Sequence, residues 1–302
     1  MADRLFVPWT GRDDGPGPEH ARWHSVVRGW VPGEQLHEGA VVLVGFASDE
    51  GVRRNGGRVG AAAGPAALRG ALASLGDPGR PVFDAGDVVV DSDLEGGQAR
   101  LGAVVGAILD AGGLPVVLGG GHAVAYGSYL GWAGRPGWGV LNVDAHFDLR
   151  ASDRATSGTP FAQMAADEAS AGRDLAYAVA GISRANNTRV LFGAAERLGV
   201  EVLLDEDCTP ATAGAFAEEF VARVDRVHLT LDLDALPASV APGVSAPAGF
   251  GIGLDCVRAV VRAVVGSGTL GLLEVAELNP SFDVDGRTAR TAARLVDLAV
   301  RA

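Results

Sequence analysis

The sequence predicts an α/β protein with three layers, in which helices cover both faces of a mostly parallel central sheet. Continuous apolar runs recur along the chain, as expected for strands that are buried on both faces. Helix-length segments alternate with these runs from Ala40 onward, and no linker-like break separates them. Aromatic residues make up only 6% of the chain, while Ala, Val, Gly and Leu dominate, which suits close packing between helices and a sheet.

The N-terminal residues differ in composition from the rest of the chain. They are rich in Gly, Pro and charged residues, with Trp9, Trp23 and Trp30 interspersed. We therefore expect residues 1–38 to form an irregular arm with at most one short helix. Its tryptophans are expected to pack on the main domain or on a neighbouring subunit. Residues 39–302 are expected to form one domain, since α/β folds often reach this size as a single unit.

Strands are predicted after the arm from apolar runs that are bounded by turn residues. They span residues 40–46, 82–88, 114–118, 138–144, 176–181, 200–204, 227–233 and 271–278. Helices are predicted at residues 66–75, 98–111, 123–131, 161–170, 185–197, 210–223, 253–266 and 287–300. Residues 48–60 are predicted to form a polar, glycine-rich loop that carries Arg53, Arg54 and Arg58.

Composition and charge narrow the class of protein. The chain has 302 residues, of which 48% are hydrophobic, and a net charge of -12. Such an acidic protein is not expected to bind nucleic acid, because that role usually needs a basic face. Cys208 and Cys256 form no C-x-x-C motif, so we expect a reducing cytoplasm rather than a disulfide framework. The sequence shows neither a signal peptide nor a run of about 18 apolar residues, so no membrane association is expected.

Metal-capable side chains follow three of the predicted strands, at the point where each strand ends. They are His122, Asp144, His146, Asp148, Asp232 and Asp234. In sheets of this kind, sites form beyond the carboxyl ends of the strands. Alternate strand residues share a face and lie about 6–7 Å apart, so such pairs can reach two metals about 3.5–4 Å apart. Asp148 would lie about 13 Å from Asp144 in an extended strand, so the chain must turn after His146.

The ligand types indicate which metal is expected. Four carboxylates and two imidazoles form a hard, oxygen-rich set, which favours manganese over zinc. Two divalent cations would also offset the repulsion among the aspartates. Taken singly, Gly119–Gly121 before His122 is more typical of a turn, and Asp232 with Asp234 of a strand cap. Their recurrence at three strand ends of one chain favours a metal centre.

These motifs resemble the signatures of a known family. Gly119–His122, Asp144–Asp148 and Leu231–Asp234 followed by Ala241–Gly243 are similar to the three signatures of the ureohydrolases, which include arginases, agmatinases and formimidoylglutamases. The resemblance extends over nearly all of residues 40–302. It is strongest to the formimidoylglutamases, on the stretches Gly51–Ala61, Ser157–Phe161, Ala241–Pro247 and Ala276–Pro280.

The resemblance implies an arginase-like fold, two Mn²⁺ ions per chain and hydrolysis of N-formimidoyl-L-glutamate to L-glutamate and formamide in histidine degradation. By the same resemblance, His122 and Asp148 would bind one ion, and His146 and Asp234 the other. Asp144 and Asp232 would bridge both ions. This assignment of ligands is implied by the family resemblance alone.

Ser157 marks a departure within the family. Arginases and agmatinases have a histidine in this loop, thought to shuttle protons, and Ser157 takes its position here. The loss of a basic group disfavours guanidino hydrolysis and fits the formimidoyl branch. Asp148 is then the candidate to move a proton to the departing amine. Glu277 would pair with the cationic amidine, its alternative role being that of a structural carboxylate at a strand end.

Arginines are the candidates for binding the two carboxylates of this substrate. Arg150 follows the second motif and could bind a carboxylate with two parallel hydrogen bonds. Arg53, Arg54 and Arg58 could supply a second clamp, or could equally be solvated loop residues. The expected partner is thus a small dicarboxylate amidine. Relatives often assemble into homo-oligomers, and the sequence leaves the oligomeric state open.

Two other functions stay open at this point. Another ureohydrolase, such as an agmatinase or a guanidino-acid hydrolase, would release urea. Arg150 disfavours agmatine, because that substrate is cationic at its far end. A catalytically silent metal-binding member of the family is the second alternative, and the intact ligand set disfavours it.

Overall fold

The computed structural model describes residues 2–37 and 39–301, and within them the strands form one parallel sheet. The strands are β1 (Arg28–Gly29), β2 (Val41–Ala47), β3 (Val82–Val89), β4 (Leu114–Leu118), β5 (Trp138–Val143), β6 (Tyr177–Ile182), β7 (Glu201–Leu204), β8 (Arg226–Asp232) and β9 (Leu270–Ala276). Their order across the sheet is β1-β3-β2-β4-β9-β8-β5-β6-β7. Every pairing between neighbouring strands is parallel. The predicted parallel sheet is therefore confirmed.

Helices cover both faces of this sheet. They are α1 (Trp23–Val26), α2 (Glu50–Arg54), α3 (Gly64–Ala73), α4 (Leu94–Asp110), α5 (Val124–Leu130), α6 (Pro160–Ser170), α7 (Arg189–Arg197), α8 (Pro210–Val221), α9 (Leu254–Gly266) and α10 (Arg287–Arg301). One hydrophobic core joins the sheet to α3, α8, α9 and α10, and the other joins it to α4, α5, α6 and α7. These two cores confirm the three-layer architecture.

Strand β2 shows why the apolar runs are continuous. Val41 and Leu43 belong to one core, and Val42 and Val44 belong to the other. Successive side chains of a strand point to opposite faces, so a strand covered on both sides is expected to be apolar along nearly its whole length. All seven residues of β2 are buried.

Helix α2 lies where the sequence predicted only a loop. Glu50 accepts hydrogen bonds from Arg53 and Arg54, three and four residues further on. Pairs at this spacing face each other on a helix and stabilise a single short turn. The spacing of Glu50 from these arginines is visible in the sequence, but the glycines of the stretch favour a loop, and composition alone therefore predicts the wrong conformation.

The N-terminal segment packs on the main body of the molecule. Trp23 is fully buried in the core next to α10, and its indole Nε1 donates to Asp297 at 2.9 Å. Trp9 stacks on Trp23, and its Nε1 donates to Asp84 at 3.0 Å. Strand β1 of the same segment pairs with β3 at the edge of the sheet. The tryptophans therefore anchor this segment to the domain.

Strands β4, β9, β8 and β5 occupy adjacent central positions in the sheet. Their carboxyl ends open at one edge, where the loops that follow them meet. Within the described ranges, no helix combines the length and the apolar character that crossing a bilayer requires.

Candidate metal centre

The side chains expected to bind metal converge beyond the ends of β4, β5 and β8. Their ligand atoms form two groups, and the atoms of each group lie within 4.8 Å of one another. One group consists of His122, Asp144, Asp148 and Asp232, and the other of Asp144, His146 and Asp234. Asp144 belongs to both groups, so its two oxygens face two adjacent positions.

Distances within each group are short. The Nδ1 atom of His122 lies 3.1 Å from Asp144 Oδ2, and 3.0 Å from Oδ2 of both Asp148 and Asp232. The Nδ1 atom of His146 lies 3.2 Å from Asp234 Oδ2 and 3.5 Å from Asp144 Oδ1. Both imidazoles thus turn the same ring nitrogen towards carboxylate oxygens.

The turn that brings Asp148 into the centre begins earlier than the sequence predicted. Strand β5 ends at Val143, so Asp144 and His146 lie beyond the strand and not within it. Asp144 Oδ1 accepts a hydrogen bond from the backbone N–H of His146 at 2.7 Å, which is the geometry of an Asx turn. Asp148 has a φ of 48°, a left-handed conformation in which Asp is tolerated. The expectation that Asp148 lies in a turn is confirmed.

Asn187 holds this turn in place. Its Oδ1 accepts from the backbone N–H of Phe147 at 3.2 Å, and its Nδ2 donates to the carbonyl of Ala145 at 2.8 Å. The Tyr177 hydroxyl donates to the carbonyl of Phe147 at 3.1 Å. Sequence reasoning missed Asn187. The only signal was a polar pair, Asn186–Asn187, in the loop that follows β6.

The glycines before His122 are required by close packing. A Cβ atom at Gly120 would collide with the carbonyl oxygen of Ser48, and one at Gly119 would lie 2.6 Å from the carbonyl oxygen of Val275. These carbonyls belong to the segments at the ends of β2 and β9. The glycine run therefore lets β4 deliver His122 between two neighbouring strand ends.

Crowding of carboxylates perturbs the acidities of the cluster. Burial, followed by the charge of Asp144, raises the pKa of Asp148 to about 6. Burial and the charge of Asp232 raise the pKa of Asp234 well above its usual value. Attraction by Asp234, against the effect of burial, raises the pKa of His146 to about 12. The two aspartates thus resist ionisation because they are buried next to other carboxylates, while the same carboxylates favour the charged form of His146.

The donor set fits hard divalent cations. His122 Nδ1 and Asp234 Oδ1 are buried and make no well-directed hydrogen bond within the described residues. Among the ion pairs of those residues, none joins an arginine to any of the four aspartates of the cluster. Buried carboxylates are normally paired or bind metal. Oxygen-rich sets of this kind suit Mn²⁺ and similar cations.

A cavity of about 340 Å³ opens onto the cluster. Arg58, Arg150, Ser157 and Glu277, which the sequence indicates as candidates for substrate binding, all line it. The lining also includes Asn55, Asn186, Asn187, Leu191, Ser245 and Ala246, which sequence reasoning did not single out. The cavity therefore joins the cluster of metal-capable groups to two cationic side chains.

Arg53 and Arg54 do not line this cavity, so the structure does not support their expected role as a clamp. The guanidinium of Arg53 binds both oxygens of Glu50 at 2.6 Å. Arg54 binds Glu50 at 2.7 Å and Glu95 at 2.6 Å. Both cations are thus already paired, which could not be inferred from a run of arginines.

Arg58 is held rigidly at the wall of the cavity. Its Nε donates to the carbonyl of Ser245 at 3.0 Å, and its Nη2 donates to the carbonyl of Val244. The guanidinium also lies 3.9 Å from the ring centroid of Phe282, a cation–π contact. These contacts fix the direction in which the remaining N–H groups of Arg58 point.

Glu277 lies against the motif Gly119–His122. Its Oε1 accepts from the backbone N–H of His122 at 2.8 Å, while its Oε2 is buried without a hydrogen-bond partner in the described residues. The residue has a φ of 65°, an uncommon conformation that turns the chain out of β9. Burial and the charge of Asp232 raise the pKa of Glu277 to about 8. A cationic group next to Oε2 would restore the charged carboxylate.

Known proteins resemble this chain over most of its length. Residues 39–300 match the model of the arginase family. A formimidoylglutamase of Nocardia farcinica is 57% identical over 95% of this chain and 94% of the relative. One of Rhodococcus jostii is 54% identical over 98% and 96%. The fold also matches a crystal structure of Trypanosoma cruzi formiminoglutamase with Mn²⁺, with a TM-score of 0.80 and 28% identity over 89% of this chain and 95% of that one.

Proposed function

The chain belongs to the arginase family, and from that premise we propose that it hydrolyses N-formimidoyl-L-glutamate to L-glutamate and formamide, a step of histidine degradation. Relatives named formimidoylglutamase that are more than half identical to this chain support the substrate. The observation that carries the proposal is the cavity, because it joins the metal-capable cluster to Glu277, Arg58 and Arg150.

The proposed cofactor is a pair of Mn²⁺ ions. His122 and Asp148 would hold one ion and His146 and Asp234 the other, with Asp144 and Asp232 shared between the two. Two bound divalent cations supply Lewis-acid stabilisation of negative charge and an acidified water as the nucleophile. The manganese named for the Trypanosoma cruzi relative supports this choice of metal.

The charges of the cavity suit a dicarboxylate. The protein carries a net charge of -12, so an anionic substrate needs local cations to enter. Arg58 and Arg150 line the same cavity and would each bind one carboxylate of the substrate. Agmatine has no carboxylate and carries an amine at its far end, so these two arginines would repel it. Asn55 donates to Ser157 at 3.1 Å, and this hydrogen-bonded pair forms part of the polar lining of the cavity.

Protein groups are proposed to orient the amidine and to move its protons. Glu277 Oε2 would accept an N–H of the cationic amidine, since this buried oxygen has no protein partner in the described residues. Asp148 would take a proton from the nucleophile and pass it to the nitrogen of the departing glutamate. Asp148 lines the cavity, so its carboxylate faces the space that the reacting groups would occupy. Addition of water and breakage of this C–N bond yield formamide and glutamate.

Parallel assays on three substrates test this proposal. The protein loaded with Mn²⁺ is incubated with N-formimidoyl-L-glutamate, L-arginine and agmatine, and formamide and urea are measured separately. We expect formamide from the first substrate only. Urea from either of the others would indicate a different activity within the family. No turnover of any of them, with metal bound, would favour a catalytically silent member.

A further inference from the structure

A chain of buried polar groups lies behind His122, on the side away from the cavity. The Nε2 atom of His122 lies 3.0 Å from the hydroxyl of Thr230, and that hydroxyl lies 2.9 Å from Glu274 Oε1. Thr230 and Glu274 are paired across β8 and β9. Both are fully buried. A carboxylate at this depth is costly unless it is well partnered, and nothing in the reaction uses it.

The environment of Glu274 keeps it a hydrogen-bond acceptor. Trp132 donates its indole N–H to His228 Nδ1 at 3.3 Å, so the proton of His228 is on Nε2. That nitrogen faces Glu274 Oε1 at 3.7 Å, and Ser128 donates to Oε2. Burial raises the pKa of Glu274, and His228, His122 and Ser128 together lower it below its usual value. Both carboxylate oxygens face donors, Oε1 the Thr230 hydroxyl and the His228 Nε2–H and Oε2 the Ser128 hydroxyl, so Glu274 is an ionised group that only accepts.

The proton of Thr230 is then fixed by elimination. A hydroxyl has one proton, and an ionised Glu274 can only accept it. Towards His122, Thr230 can therefore act only as an acceptor, so His122 must carry its proton on Nε2. The opposite nitrogen, Nδ1, is then unprotonated, and it is this atom that faces Asp144, Asp148 and Asp232.

We propose that Thr230 and Glu274 are positioning residues that hold His122 in the tautomer whose Nδ1 binds metal. The inference rests on the proposed metal centre and concerns how tightly it holds its ion. Groups that orient a metal-binding histidine typically change metal affinity by about 10- to 100-fold when they are replaced. In the described residues, the ion pairs of His146 are with Asp144 and Asp234 and not with Glu274, so its ion should be unaffected.

Variants that differ in hydrogen bonding but little in shape test the proposal. Thr230→Val removes the acceptor. Glu274→Gln can donate an amide N–H to Thr230, which frees the hydroxyl to donate to His122 and favours the wrong tautomer. Thr230→Ser keeps the hydroxyl. Thr288→Val serves as the matched control, because it removes another fully buried threonine hydroxyl, one that accepts from the backbone of Gly243.

The readout is Mn²⁺ binding by equilibrium dialysis, with folding checked by circular dichroism. We expect Thr230→Val and Glu274→Gln to bind one of two ions about 10- to 100-fold more weakly. Thr230→Ser and Thr288→Val should bind as the wild type does. Activity of the weakened variants should recover at high Mn²⁺. Wild-type affinity in both Thr230→Val and Glu274→Gln would overturn the proposal, as would equal weakening in Thr230→Ser. If the wild type fails to hydrolyse formimidoylglutamate, only the proposed activity is refuted, since ion binding still tests the positioning role of Thr230 and Glu274.

Discussion

Replacement of Arg58 by alanine should weaken binding of formimidoylglutamate more than it slows the chemical step. Of the five N–H groups of a guanidinium, Arg58 uses two on the carbonyls of Ser245 and Val244, and the stack on Phe282 restrains the plane. The remaining donors are thus oriented before substrate binds. Little rotamer entropy is then lost when a carboxylate docks.

The expected size of the effect follows from these contacts. A hydrogen bond to a charged group contributes about 1.5–3 kcal/mol. Since about 1.4 kcal/mol corresponds to a tenfold change in affinity, Arg58→Ala should raise KM by about 10- to 150-fold. The KM of Arg58→Lys should lie between those of the wild type and Arg58→Ala, because a lysine keeps the charge but lacks the planar guanidinium group.

Steady-state kinetics on two substrates provides the assay. The second substrate is N-formimidoyl-n-butylamine, which has the amidine but no carboxylate, and Arg58→Ala should leave its kcat/KM near the wild-type value. Arg53→Ala is the matched control, since that arginine pairs with Glu50 and does not line the cavity. The reasoning would be refuted by an unchanged KM for formimidoylglutamate, or by an equal loss of kcat/KM on N-formimidoyl-n-butylamine.

Further predictions concern catalysis and stability. Glu277→Gln should lower kcat/KM by about 10- to 150-fold through the lost charge on the amidine, with the Mn²⁺ content unchanged by metal analysis. Chelation of the metal should lower Tm in a calorimetric scan, because the cluster's carboxylates then repel one another, and added Mn²⁺ should restore it. Arg53, against the effect of burial, holds the pKa of Glu50 at about 2, below the usual 4.5. The ionised Glu50 therefore stabilises the folded state fully above about pH 4.5, and this stabilisation is lost as the pH falls towards 2. Between these two pH values, the free energy of unfolding in urea should fall less for Glu50→Gln than for the wild type. Trp23→Phe removes the hydrogen bond to Asp297 and should lower the free energy of unfolding by about 1.5–3 kcal/mol, measured by urea unfolding. An unchanged free energy of unfolding would contradict the anchoring of the N-terminal segment.

Sequence patterns were sufficient for the sheet and for the convergence of the metal-capable groups. Strands buried on both faces are apolar at most positions, so each one is visible in the local sequence. His122, Asp144 and Asp232 stand at or just beyond the ends of such strands, and parallel strands place their carboxyl ends at one edge. Convergence therefore follows from topology without knowledge of any loop.

Tertiary structure alone decided which polar side chains meet. Arg53, Arg54 and Arg58 are indistinguishable as a run of cations, yet of the three only Arg58 lines the cavity. Arg53 and Arg54 pair with Glu50, and Arg54 also pairs with Glu95 of a distant helix. The contact between Thr230 and Glu274 depends on the register of β8 against β9. That register is determined jointly by residues that are far apart in the chain. Strand burial and ligand chemistry are local properties that a sequence displays. Loop direction, strand register and the pairing of polar groups far apart in the chain are decided by contacts between distant segments, and for that reason only the folded chain reveals them.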